Sequence, residues 1–220
     1  NATSRKDLDV LSHALHQSER QFIFRSAASF VQSFAGITSR PPLESWQMQD
    51  LDPNPHGGLI VVDSHDSKTS SQLADLLANA PDAVVMELDV PALGSGETPE
   101  QPLNETIVSG KTVILHTSQE RMDVEDNPAL SKMVSNALVA LVKSVEARPS
   151  FIIANGGMIA SEIATHALGI KNARVLGQIL PGVPVWTMGN ETRHPGLVYV
   201  IFPGNVGGDT ELTQAYLKLK

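Results

Sequence analysis

The chain has no cysteine among its 220 residues. Disulfide scaffolds, thiolate metal sites and cysteine nucleophiles are therefore excluded, and the composition fits a reducing cytoplasm. Aromatic residues are scarce, at 5%, so a core has to be built from Leu, Val, Ile and Ala. Positive charge is not in excess: the formal net charge is −8, with the acidic residues dispersed. That argues against a nucleic-acid surface, which needs clustered Lys and Arg. It leaves room for a small anion, because backbone N–H groups hold anions without net positive charge. No apolar run approaches the roughly 20 residues needed to cross a bilayer. The first six residues, Asn1-Ala2-Thr3-Ser4-Arg5-Lys6, show no signal-peptide pattern. They also lack an initiator methionine, so the chain is expected to begin inside a longer gene product.

What is present divides into two unequal parts. The length allows one large domain, or one domain with a fragment of another. Leu8, Leu11 and Leu15 recur at helical spacing, Phe22-Ile23-Phe24 reads as a short strand, and Ala27 to Phe34 reads as a second helix. Residues 38–57 change character. Pro41-Pro42, Asp52-Pro53-Asn54-Pro55 and Gly57-Gly58 break regular structure, which predicts a linker ending near residue 56.

From Gly58 onward, apolar runs alternate with helical patterns. Leu59 to Val62, Ala83 to Leu88, Thr112 to Leu115, Phe151 to Ala154, and segments near 173–179 and 197–202 read as strands. Leu73, Leu76 and Leu77 mark a helix over 68–79. Leu130, Met133, Val134, Ala137, Leu138, Leu141, Val142 and Val145 mark a long one over 128–146. Ile159, Ile163 and Ala167 give another, and a last begins near 209. Residues 94–106 read as a mobile surface loop. Strands this apolar are buried on both faces. The expectation is an α/β fold in three layers, a largely parallel (mixed) sheet flanked by helices.

In such a sheet, ligands bind where strand carboxyl ends lead into helices. Three segments lie there. Asp63-Ser64-His65-Asp66-Ser67-Lys68-Thr69 follows the first strand. Its small polar residues either cap a helix or present hydroxyls to a ligand. Ser64-His65-Asp66 is not a triad, since sequence neighbours do not converge. Asn155-Gly156-Gly157-Met158-Ile159 follows a buried strand and opens a helix, where paired glycines let a phosphate approach the amides. A tight strand–helix turn uses the same pair. The segment is neither a G-x-x-x-x-G-K-[ST] loop nor a G-x-G-x-x-G fingerprint, which disfavours a Rossmann dehydrogenase. Pro203-Gly204-Asn205-Val206-Gly207-Gly208 is the third, a ligand-facing loop or a mobile connector. Glu87 and Asp89 could hold a metal through water, or serve as caps and surface ion pairs. The histidines show no metal-ligand spacing. Arg193 and His194 read as a surface loop pair, and Trp186 as a stacking platform or a packed core side chain.

These residues, in this order, resemble the four-carbon acid sugar kinases. The resemblance rests on Gly58 to His65 with Lys68-Thr69, on Ala154-Asn155-Gly156-Gly157, on Arg174 to Trp186, and on Pro203 to Gly207. Gln178 to Trp186 is its most specific stretch. It implies ATP-dependent phosphorylation of a threonate-, erythronate- or oxo-tetronate-type acid in the cytoplasm. Residues 58–220 would be the nucleotide-binding domain, 44–57 a linker, and 1–43 the tail of a sugar-binding domain that is otherwise missing. ATP or ADP would be contacted by Ser64, Gly156, Gly157, Met158, Ile159, Gly204 and Asn205, with Mg²⁺ bridging the phosphates. The sugar acid would reach the site through the missing domain, with Arg25 a candidate for its carboxylate. A neighbouring-residue salt bridge is an equal reading for Arg25. A homodimer stays open. The family usually has Gly where Asp63 stands and often Lys where Asn155 stands. The alternative is a catalytically inactive nucleotide-sensing or scaffolding module of a multidomain protein.

Overall fold

The computed structural model of the chain describes residues 2–49, 54–63, 67–94, 102–118, 128–204 and 206–220. The chain forms two compact units, Asn1–Pro41 and Pro42–Lys220.

The first unit holds helices α1 (Arg5–His16) and α2 (Ala28–Phe34). Ser4 starts α1 with a capping box. Its hydroxyl accepts from the Asp7 amide at 3.3 Å, and the Asp7 carboxylate accepts from the Ser4 amide at 2.9 Å. Phe22-Ile23-Phe24 forms no strand, contrary to the sequence reading. The described residues of this unit form no strand to take its backbone groups, and Ile23 is fully exposed. Phe24 turns its ring onto Phe30 and Phe34 instead, with centroids 5.3 and 4.9 Å away. The buried positions among the described residues of this unit are two serines, Ser12 and Ser33. Their hydroxyls bond to each other at 3.1 Å. A piece this small buries too little apolar surface for a core of its own.

The second unit begins with α3 (Ser45–Gln49), inside the stretch expected as linker. Met48 of α3 is buried, and the Leu43 amide donates to the Gln178 carbonyl at 2.7 Å. The elements then run β1 (Leu59–Val62), α4 (Ser67–Asn79), β2 (Val84–Leu88), α5 (Val90–Gly94), α6 (Leu103–Val108), β3 (Val113–Thr117), α7 (Pro128–Ser144), β4 (Phe151–Asn155), α8 (Gly157–Glu162), β5 (Ala173–Leu180), β6 (Val183–Met188), β7 (Val198–Phe202) and α9 (Glu211–Leu219). A π-helical turn, Ile163–Ala167, prolongs α8. The loop expected over residues 94–106 overlaps α6, Leu103–Val108. Residues 103–108 form a helix because Leu103 and Ile107, four apart, both reach the core.

The seven strands form one sheet in the order β2-β3-β1-β4-β7-β6-β5. The first five in that order are parallel, and β6 joins β7 and β5 by antiparallel pairing on either side. The expected mixed, largely parallel sheet is therefore present. One core packs Leu59, Val61, Leu115 and Ile152 against α5 to α8. The other packs Ile60, Val62, Ile153 and Phe202 against α3, α4 and α9. Helices thus cover both faces, giving three layers. The strand β6 was not anticipated. Pro184 disguises it, but that proline sits beside a register shift and outside the stretch paired with β7. Among the described residues, no helix is long and apolar enough to cross a membrane.

Candidate functional site

The strand order locates a crevice. The chain leaves β1 for α4 on one face of the sheet, and leaves the adjacent β4 for α8 on the other. Loops that part to opposite faces open a cleft at the carboxyl ends of the strands, the usual ligand position in open α/β sheets. The register makes the convergence explicit. Val62 is opposite Asn155, and Asn155 is opposite Phe202. The Asp63 amide faces the Asn155 carbonyl at 3.5 Å, and the Gly156 amide donates to the Phe202 carbonyl at 2.9 Å. The three segments singled out in the sequence therefore leave the sheet side by side.

The glycine pair has two distinct roles. Gly156 has φ +115°, and a Cβ there would lie 3.0 Å from Ile159 Cγ2. It is the residue that lets β4 turn directly into α8. A Cβ on Gly157 would meet nothing within 4 Å, so this residue borders open space. Helix geometry leaves the amides of Gly157, Met158 and Ile159 without intrahelical acceptors. The Met158 side chain is exposed, whereas Ile159 is buried in the core beneath the turn. Any contact from Ile159 would come from its main chain. Gly204 is half-buried on the third segment. Ser64 and Asn205 lie outside the described residues, and Arg25 is exposed in the first unit.

Two buried side chains shape the crevice, Gln72, which no sequence motif marked, and Asn155, which lies in the singled-out glycine segment. Gln72 of α4 is fully buried, and its Nε2 donates to the carbonyls of Val206 and Gly208 at 3.1 and 3.0 Å. It ties the glycine loop after β7 to α4. Replacing Gln72 with leucine keeps the volume but strands both carbonyls. A loss of about 1–3 kcal/mol is expected, read by urea unfolding, together with faster hydrogen exchange at residues 206–208. The second is Asn155, fully buried at the end of β4, with neither carboxamide atom hydrogen-bonded.

The weaker candidates resolve differently. Asp89 Oδ1 accepts from the Ala92 amide at 3.2 Å and caps α5. Glu87 lies 3.9 Å from His116 Nε2. Among the described residues, no three His, Asp or Glu side chains gather as a metal site. His194 is buried rather than on the surface. Burial, with Arg193 and Arg148 nearby, pushes its pKa down from the usual imidazole range. Trp186 is partly buried against the core, 6.5 Å from the Tyr199 ring. Gln178 closes the β5–β6 hairpin, its Oε1 accepting from the Gly182 amide at 3.0 Å. A cavity of about 680 Å³ lies at the opposite, amino end of the sheet, lined by Gly58, Lys111, Ser150 and Tyr216. Lys220 and Asp82 form an ion pair at its edge, 3.0 Å apart. No described residue of the three strand-end loops lines it.

The model of one family, described as the nucleotide-binding C-terminal domain, matches residues 59–212. That span runs from the first residue of β1 into α9 and includes all three loops. The chain belongs to this family. No curated protein matches the nucleotide-binding domain in sequence. Solved structures share its fold at low identity. Haemophilus influenzae protein HI1011 superposes with a TM-score of 0.65 at 16% identity, over 100% of this chain and 53% of its own. A protein from Salmonella typhimurium LT2 gives 0.59 at 14%, over 100% and 52%. A domain of unknown function from Bordetella bronchiseptica, crystallised with bound citrate as a domain-swapped dimer, gives 0.53 at 18%, over 99% and 52%. The nucleotide-binding domain and the first unit together thus span about half the length of the proteins they resemble.

Proposed function

We propose that the chain supplies the ATP-binding part of a cytoplasmic kinase that phosphorylates a four-carbon sugar acid. The observation that carries this reading is the Gly156–Gly157 turn. It presents unused amides to open space at the crevice between β1 and β4, inside a nucleotide-binding domain. The amides would hold phosphate oxygens, and the loop after β7 would close on the nucleotide from the other side. Ser64, Gly204 and Asn205 would add contacts. Phosphoryl transfer depends mainly on such positioning and on charge stabilisation.

Mg²⁺ fits this arrangement in a limited way. It prefers one or two protein oxygens, with the phosphates and waters supplying the rest. Asp63 and Asn155, at neighbouring strand ends, offer that many. When bound, the ion would neutralise charge on the transferred group. The sugar acid and the general base would belong to a partner domain, of which residues 1–43 would be the tail. The exposed Phe22, Ile23, Val31 and Ile37 side chains of the first unit support that division. The citrate held by the Bordetella protein is a carboxylic acid, in keeping with an acid as substrate. The domain-swapped dimer of that protein is the precedent for a homodimer here.

Asp63 favours a second reading, a nucleotide sensor without catalysis, because a carboxylate beside the turn repels phosphate when no metal is present. Calorimetric titration with Mg·ATP tests the shared element. Measurable heat and a thermal shift are expected. Silence at millimolar nucleotide would remove both readings. A longer protein that includes the sugar-binding domain, assayed for tetronate phosphorylation, then separates kinase from sensor.

A further inference from the structure

Asn155 stands at the floor of the crevice, one residue before the glycine turn, and is 0% exposed. Strand alternation puts its side chain on the face that carries Phe151 and Ile153, between Val62 and Phe202 of the adjacent strands. That is the face covered by α4 and α9, and the Gln72-tied loop after β7 passes on the same side. Both ends of the Asn155 carboxamide lack a partner. Every other inward residue of β1, β4 and β7 on this face is apolar. A leucine or valine here would avoid the cost of burying an unpaired amide. An unpaired carboxamide at such a position is one that a ligand can satisfy.

The chemistry of that ligand follows from the carboxamide. Nδ2 offers two donors and Oδ1 two acceptor lone pairs, with no net charge. A phosphate oxygen satisfies only the donor end. A hydrated Mg²⁺ satisfies only the acceptor end. A metal–phosphate pair satisfies both. We infer that Asn155 reads the Mg·phosphate unit of the nucleotide, its Nδ2 donating to a phosphate oxygen and its Oδ1 facing the metal or a metal-bound water. This deepens the nucleotide reading proposed above and rests on it.

The test uses the full chain and two variants, Asn155→Leu and Asn155→Asp, titrated with ADP in EDTA and with ADP plus excess Mg²⁺. Thermal unfolding of each protein without nucleotide is recorded alongside. Wild type should bind more tightly with Mg²⁺. Asn155→Leu should unfold at a higher temperature than wild type when empty, since it no longer buries an unpaired amide, yet lose about 10- to 100-fold in Mg·ADP affinity and most of the metal's effect. Asn155→Asp should bind metal-free ADP at least about tenfold more weakly, having lost the donor and gained a charge, and should gain more from Mg²⁺ than wild type does. Because Asp keeps the shape of Asn, it carries the test if the leucine variant misfolds. Wild-type affinity and metal dependence in either folded variant would overturn the inference while leaving the nucleotide reading standing. Failure of wild type to bind ADP under both conditions would overturn both.

Discussion

Gly157→Val should lower Mg·ATP affinity at least about 100-fold, equivalent to about 2.8 kcal/mol, while leaving the unfolding temperature within a few degrees of wild type. The two halves of this expectation come from the same geometry. A side chain at Gly157 meets nothing within 4 Å, so the folded chain accommodates it. Gly157 is the first residue of α8, where valine costs a helix no more than glycine does. The isopropyl group then occupies the space through which a phosphate would approach the amides of the turn. Gly156 is the contrasting control. At φ +115° and ψ 123° an L side chain is strained by about 1–3 kcal/mol, and its Cβ would press on Ile159 Cγ2. Gly156→Ala should therefore lose stability and binding together, and cannot separate them. Calorimetry and thermal unfolding on the two variants would decide the matter. A folded Gly157→Val protein with wild-type affinity would remove the turn from the site.

The sequence carried this site unevenly, for physical reasons. Buried parallel strands are apolar on both faces, so β1, β3 and β4 stand out as runs. A long amphipathic helix such as α7 repeats its spacing often enough to be unmistakable. Glycine in a strand–helix turn marks a backbone need that only glycine meets, and Gly156 confirms that need in its dihedral angle. The strand β6 was hidden because a proline within an apolar run looks like a break, and its place beside a register shift and outside the pairing with β7 explains the exception. Gln72 was harder still. Nothing local separates a buried polar residue that pins a loop from one on a solvated helix face. Its significance lies in hydrogen bonds to residues more than 130 positions away, and that of Asn155, within the glycine segment, lies in a side chain with no hydrogen bond. The Phe22-Ile23-Phe24 segment shows the converse error. A strand needs a partner strand, and local composition cannot say whether one exists.

The site depends on β1 being held in register, and two glycines at its entrance should prove the most sensitive positions for folding. A Cβ on Gly57 would fall 1.9 Å from the Lys111 carbonyl oxygen, and one on Gly58 would fall 2.2 Å from the Phe151 ring. The Gly57 carbonyl accepts from the Ser150 amide at 3.1 Å, its amide donates to the Ile107 carbonyl at 2.8 Å, and the Gly58 carbonyl accepts from the Val113 amide at 2.9 Å. These bonds align the starts of β1, β3 and β4, so neither backbone can retreat without breaking the ladder. Gly57→Ala should cost more than about 4 kcal/mol and leave little folded protein, measured as soluble yield and urea midpoint. Gly58→Ala should be comparably damaging, but its clash is with a side chain. Shortening that side chain in the double variant Gly58→Ala/Phe151→Leu should recover about 1–3 kcal/mol relative to additivity. The same Phe151→Leu change should recover nothing in Gly57→Ala, where the obstacle is main chain. Equal rescue of both would mean that the close approach of Gly57 to Lys111 is not what fixes the entrance of β1. The three strand-end loops would then owe their alignment to the carboxyl-end bonds among Asp63, Asn155, Gly156 and Phe202 alone.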